Sequence, residues 1–290
     1  MIEAIPQLII TGILAGGIYG LLAMGLSLQY GVCRVLNITH GEFVMLAAVL
    51  TYTLSTIGIN PLVAAAITGP LMFALGFVLQ ITLFRGIKAR APSPPVFEGS
   101  ALLAAFGLMY IMKYLAQIQW GSLPLPCYYL ADKLMLAGMT LFLNQVIAFA
   151  ITVALGVAVY LFLNRSRLGR AIRATAEDPA TAGLMGVNIN MVLALCFGLG
   201  GLLAGIAGSL SAMISAPSTA IGFQNTVIAL IVVVLGGLGS VTGSFIAGIM
   251  IGVVSFLVLG LWEPVLVVPI YYAMLMVLLL ARPTGILGKK

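Results

Sequence analysis

The chain has 290 residues, 62% of them hydrophobic and only 7% charged, with a mean hydropathy of +1.21 and a net charge of +6. Several runs of about 20 residues are apolar all round, which excludes a soluble domain, and long continuous runs rather than short alternating ones exclude a transmembrane β-barrel. The class is an all-α polytopic membrane protein, and its positive charge is explained by membrane topology rather than by nucleic-acid binding.

Candidate spans in chain order are 6–30, 41–58, 61–84, 100–119, 141–163, 190–214, 224–240, 243–261 and 264–281, each near the length needed to cross the hydrocarbon core. The N-terminus, MIEAIPQL, lacks the basic n-region of a signal peptide, so the first apolar run is expected to be retained. Ten of the 13 basic residues fall in three clusters: Arg85, Lys88 and Arg90; Arg165, Arg167, Arg170 and Arg173; and Arg282, Lys289 and Lys290. The positive-inside rule puts all three in the cytoplasm, leaving the N-terminus outside and the C-terminus inside. That parity calls for about 8–9 transmembrane or re-entrant helices.

The first span carries Gly16, Gly17 and Gly20, and the sixth carries Gly198, Gly200, Gly201, Gly205 and Gly208. Small residues at such spacing let helix backbones approach in lipid. Residues 30–43, YGVCRVLNITHGEF, then put Arg34, Asn37, His40 and Glu42 between two spans. One reading is an ordinary cytoplasmic turn, with Asn37 or Thr39 capping the next helix. The other is a broken helix lining a transport path, where irregular backbone is tolerated.

Residues 91–99, APSPPVFEG, are too proline-rich to be helical throughout and read as a cytoplasmic connector. Between Trp120 and Gly138 the chain is mixed, with Pro124, Pro126, Tyr128, Tyr129, Asp132 and Lys133, and reads as an external loop. The one long polar island is 164–188. It opens on the four-arginine rim and continues into a short helix marked at both ends. Asp178 suits the N-cap, Pro179 the first helical position and Gly186 the left-handed stop. A loop so polar and so punctuated between apolar spans reads as a docking surface.

Near the end, VLGGLGSVTGS (234–244) interrupts two apolar segments with four glycines and two serines. It is either a tight turn or a loop between half-helices that aims N–H groups at a cavity. It is no phosphate loop, since GxxxxGK[ST] is absent from the chain. If ATP powers this protein, a partner hydrolyses it. Cys33, Cys127 and Cys196 give neither a disulfide framework nor metal spacing, and the single histidine, His40, argues against a histidine-ligated metal.

Four segments in order resemble one family: GGIYGLLAMGLSLQYGVCRVLNITHGEF (16–43), RLGRAIRATAEDPATAGLMGVN (167–188), VLGGLGSVTGSFIAG (234–248) and RPTGILG (282–288). That family is the permease subunit of the high-affinity branched-chain amino acid ABC importers, and the short N-terminus resembles its first, shorter subunit. The resemblance implies a single transmembrane permease domain over 1–290, with 164–188 as cytoplasmic coupling loop, in the inner (plasma) membrane of a bacterial-type cell. It implies a second permease subunit, two cytoplasmic ATPases that bind ATP and Mg, and an extracytoplasmic solute-binding protein. No cofactor would sit in this chain itself.

By similarity, Glu177, Asp178, Pro179, Ala180, Thr181, Ala182, Gly183, Leu184, Met185 and Gly186 form the ATPase-coupling segment. The path would involve Asn37, His40 and Glu42, with Gly236, Gly237, Gly239 and Ser240. Many members carry a lysine eight residues before the first glycine of GGLGS, where this chain has Ile228. That departure admits urea, short amides or organic and aromatic acids as the solute.

Other classes fit less well. An ion-coupled secondary transporter could use Glu42 and His40, but such coupling normally needs more buried acids. A channel lacks a ring of selective ligands, and an enzyme lacks a nucleophile–base–acid set.

Overall fold

The structure, a computed structural model, describes residues 5–127, 129–136, 139–282 and 284–288. Lys289 and Lys290 of the third basic cluster, Tyr128 and Gly138 of the loop, and Pro283 lie outside the described residues. Seven helical stretches are long and apolar enough to cross a membrane. They are α1 (Ile5–Cys33), α3 with its continuation α4 (Pro61–Leu79 and Arg85–Arg90), α5 (Pro94–Trp120), α6 (Leu143–Arg165), α9 (Ile189–Ile214), α11 (Val241–Leu261) and α12 (Val267–Ala281), the last preceded by a short turn of 3-10 helix. A π-type turn, Gln80–Phe84, joins α3 to α4 without a break. The chain is an all-α polytopic membrane protein.

The remaining two expected spans are shorter helices. α2 (His40–Thr56) and α10 (Ile221–Gly236) are each about 25 Å long at 1.5 Å per residue, less than the roughly 30 Å hydrocarbon core. They sit among α1, α9 and α11 in the main core, where Phe43, Val44, Leu203, Ala229, Val232 and Leu235 are buried. The core is made by close backbone approach. α1 and α11 run antiparallel, so that a methyl carbon at Gly16 would stand 2.7 Å from Ile249 Cα and 2.9 Å from Gly248 O. No side chain could give way there, because the obstacle is backbone.

Three local expectations need correction. The connector at 91–99 shrinks to three residues, because Pro94 and Pro95 occupy the first positions of α5, where the missing N–H groups have no helical partner to lose. The external loop contains an antiparallel hairpin, β1 (Lys133–Leu136) with β2 (Met139–Phe142), and α6 begins only at Leu143. The arginine rim is itself helical, forming α7 (Arg167–Glu177), with the Ser166 hydroxyl accepting from Gly169 N at 2.8 Å. It leads into α8 (Pro179–Leu184).

The helix seam generates a stability prediction. Gly16→Ala should lower the thermal midpoint of the purified protein, since overpacking is worth about 1–3 kcal/mol. Gly107→Ala, where a methyl group meets nothing within 4 Å, should leave the midpoint unchanged or slightly higher. Equal effects of the two changes in a fluorescence melt would contradict the seam.

Candidate functional site

The interrupted segment after α1 is buried. The helix stops at Cys33, and Arg34 takes a left-handed conformation (φ 55°) with its N–H on Tyr30 O at 3.0 Å. The following residues turn back along α1. Asn37 Nδ2 donates to Gln29 Oε1 at 3.1 Å, and Gln29 Nε2 donates to Phe197 O of α9 at 3.0 Å. Farther along, the His40 ring nitrogen Nε2 donates to Leu22 O at 3.0 Å. From Cys33 to Leu22 the helix climbs about 16 Å. Residues 34–37 form no regular element, and Ile38–Thr39 make a turn in which His40 N donates to Asn37 O at 3.2 Å.

Such backbone survives away from water only if its polar groups are satisfied. Asn37 Oδ1 accepts from Thr39 N at 3.1 Å and from the Thr39 hydroxyl. Thr226 of α10 accepts from Gly41 N at 3.0 Å and donates to Ile38 O at 2.9 Å. Gln29, Asn37, Thr39, His40 and Glu42 are all fully buried. Within this chain, then, the segment is no solvated turn. Thr39 occupies the N-cap position of α2 but makes no side-chain capping bond.

α2 and α10 both begin at this depth. A methyl group at Gly41 would collide with Thr226, and one at Gly222 with the Glu42 carboxylate. Both carboxylate oxygens of Glu42 and the His40 Nδ1 have no hydrogen-bond partner. Lys113 of α5 lies along the same seam, three residues before Ala116, which packs with Met45 of α2.

The glycine-rich element is a tight turn between α10 and α11, with Gly237 and Gly239 at positive φ. Ser240 caps α11 through Gly243 N at 3.2 Å. The C-terminal segment covers the turn, with Ile286 N on Leu235 O at 2.9 Å and Leu287 N on Gly236 O at 3.1 Å. A methyl group at Gly31 would stand 3.1 Å from Gly239 Cα. Gly236, Gly237, Gly239 and Ser240 therefore lie beside the C-terminal end of α1, next to the start of the interrupted segment. Asn37, His40 and Glu42 stand deeper.

The polar island is built as its sequence suggests from Asp178 onward. Asp178 Oδ1 accepts from Ala180 N at 2.9 Å and Oδ2 from the Thr181 hydroxyl, with Pro179 at the first position of α8. The Thr181 hydroxyl bond, then the Thr181 and Ala180 backbone bonds, hold the Asp178 carboxyl below its ordinary value. The cap is thus ionised at neutral pH and lost only as pH falls below the ordinary carboxylate range. Gly186 ends the unit at φ +84°.

Leu184 and Met185 project at 89% and 82% exposure, and Glu177, Pro179 and Ala180 are also exposed. Ala182 is buried, and its carbonyl accepts from Val187 N at 3.1 Å. Behind this tip, α7 is amphipathic. Gly169, Ile172 and Thr175 face inward while its arginines face out. Arg173 Nη1 donates to Leu163 O at 2.6 Å and to Asn164 Oδ1 at 2.8 Å, fastening α7 to the end of α6. Ile172 shares one apolar cluster with Val32, Cys33, Val35 and Ile38. The docking-type loop and the interrupted segment are therefore packed together.

Sequence reading missed Gln29, Thr226 and Lys113, each a lone polar residue inside an otherwise apolar helix. That isolation was the available signal. Among the described residues no group of three or more His, Cys, Asp or Glu side chains could hold a metal.

A family model described as branched-chain amino acid transport system / permease component matches residues 8–281. The chain is 28% identical to the high-affinity branched-chain amino acid transport system permease protein BraD of Pseudomonas aeruginosa, over 98% of this chain and 95% of that protein. It is 29% identical to the corresponding permease LivH of Escherichia coli, with the same two coverages. A ribose import permease of Escherichia coli, RbsC, is 26% identical over 75% of this chain and 67% of its own length. No solved structure matches. With an all-α multi-pass fold and a match that runs nearly from end to end, the chain belongs to the branched-chain amino acid transport system permease-component family.

Proposed function

We propose that the chain is the membrane-spanning permease of an ATP-binding-cassette importer for branched-chain or related amino acids, in the inner membrane of a bacterial-type cell. An external binding protein delivers the solute. Two cytoplasmic ATPases, which bind ATP and Mg, drive it, and a second permease subunit completes the path. This chain catalyses no reaction and works as one transmembrane domain. The permease relatives named for branched-chain amino acids match it over almost its full length.

The observation that carries the reading is the packing of α7 and α8. α8 is too short to stand alone, is capped by Asp178, and offers Leu184 and Met185 to solvent. Two large apolar side chains on a charged rim suit a partner's groove. Glu177–Gly186 is then the segment that meets the ATPase. Its displacement reaches residues 32–38 through Ile172. Asn37, His40 and Glu42 line the interior of the path, with Gly236, Gly237, Gly239 and Ser240 at its inner end.

The basic residues of α4, the 164–188 loop and Arg282 gather at one end of the bundle, which the positive-inside rule assigns to the cytoplasm. The N-terminus is then outside and the C-terminus inside, with nine membrane segments, two of which begin in the interior. A second reading keeps the importer but changes the solute to urea, a short amide or an organic acid. Ile228 favours it, since this position on α10 packs in the apolar core and supplies no charge. The binding spectrum of the cognate external protein separates the two readings.

Two outcomes are expected. Uptake of leucine into vesicles should require the ATPase subunits, stop with vanadate, and persist with a protonophore while ATP is maintained. Uptake by this polypeptide alone, driven by a pH gradient, would overturn the importer reading. Asp178→Lys removes the acceptor of α8 and places a cation at a helix N-terminus. It should lower transport and ATPase co-purification about ten-fold or more while membrane insertion is unchanged, and normal values of both would count against the coupling role.

A further inference from the structure

The polar residues inside this chain are few enough to be assigned one by one. Among the described acidic residues, Glu98, Asp132, Glu177, Asp178 and Glu263 are exposed, and Glu42 alone is buried. Among the described basic residues, Lys113 is the only one that is not exposed, and it sits well inside a membrane-length helix. The two face one seam. Met45 of α2 and Ala116 of α5 pack in one cluster, and Glu42 and Lys113 precede them by three residues each, on the same helix faces. α2 and α5 run in the same direction, since the outer end of α5 bonds to α2 through Trp120 Nε1 and Thr53 Oγ1 at 2.7 Å.

Glu42 has no hydrogen-bond partner for either oxygen, although it is completely buried. A carboxylate left so is unfavourable and calls for a partner that the isolated chain does not supply. It stands where the N-termini of α2 and α10 meet, in contact with Gly222. One unpartnered acid, one cation and the ends of two shorter helices thus meet at a single depth. This combination suits a ligand that carries one charge of each sign on two groups borne by the same carbon.

We propose that Glu42 and Lys113 form the head-group subsite of the path, Glu42 taking the α-ammonium and Lys113 the α-carboxylate of an amino-acid solute. The inference rests on the amino-acid reading above and adds the residues that select for it. Lys113 supplies the cation that Ile228 does not. Solutes with a neutral head, such as a pentose, leave both charges unmatched and are disfavoured.

The test uses the importer purified with its partner subunits, without the external binding protein, so that the permease's own preference is read. Radiolabelled leucine is the probe, and 4-methylpentanoate, which lacks the ammonium, and leucinamide, which lacks the carboxylate, are competitors. In the wild type each competitor should bind about ten-fold or more weakly than leucine, the worth of one charge-assisted contact. In Glu42→Gln, leucine should weaken until it matches 4-methylpentanoate within about two-fold, and in Lys113→Gln it should come to match leucinamide. Glu42→Asp should restore part of the leucine preference.

Variants that co-purify with the ATPases and keep wild-type leucine binding and uptake would overturn the subsite. So would variants that weaken all three ligands equally, which is the signature of a merely structural role. Wild-type proteoliposomes, charged with ATP and binding protein, that take up no leucine would instead overturn the amino-acid reading itself, whatever the variants do.

Discussion

The structure depends on how a non-helical run of backbone is kept satisfied away from water. Residues 34–39 climb back alongside α1 without a helix of their own, so their N–H and C=O groups need partners from elsewhere. Asn37 answers part of this by folding its carboxamide between Thr39 and Gln29, and Thr226 answers another part by bridging Gly41 N and Ile38 O. Gln29 in turn holds the α9 backbone at Phe197. Remove this ladder and α2 has no reason to begin at the depth of Leu22. The meeting of α2 with α10, and with it the setting of Glu42, would go as well.

The glycines serve the same constraint. Irregular backbone can be enclosed only if the surrounding helices come close, and close approach in an apolar solvent depends on small residues rather than on a hydrophobic drive. The α1–α11 seam brings two backbones together, and at Gly222 the absence of a side chain leaves the space that Glu42 fills. Packing and polarity are therefore one design here. The glycine-rich turn after α10 belongs to it too, since the chain's own C-terminal segment adds hydrogen bonds to Leu235 and Gly236 and sits over the turn.

What could be read from the sequence was what is local. Asp178, Pro179 and Gly186 mark α8 because capping acts within three residues, and the class follows from apolar runs whose length is itself the signal. What could not be read was depth. The partners of residues 37–42 stand far away in the chain, at Leu22, Gln29, Phe197 and Thr226, so a turn and a buried break look alike in the string. The hairpin at 133–142 is hidden because its apolar strands merge with the start of α6, and α7 is hidden because its inward face is only Gly169, Ile172 and Thr175 among many polar residues.

Depth also explains how, in the proposed coupling role, the 164–188 loop would act on the break. α7 is pinned by Arg173 to the end of α6, so a push on α8 cannot be absorbed by a loose hinge at that junction. In that role it would pass to Ile172 and from there to Val32, Cys33, Val35 and Ile38. Val35 and Ile38 belong to a non-helical stretch, which can change its path without unwinding a helix. Coupling between distant sites needs an element with two discrete arrangements. In this chain the interrupted segment is the candidate for that element, because its polar ladder is made of side chains that can exchange partners while the helices around it, locked by backbone contact, stay as they are.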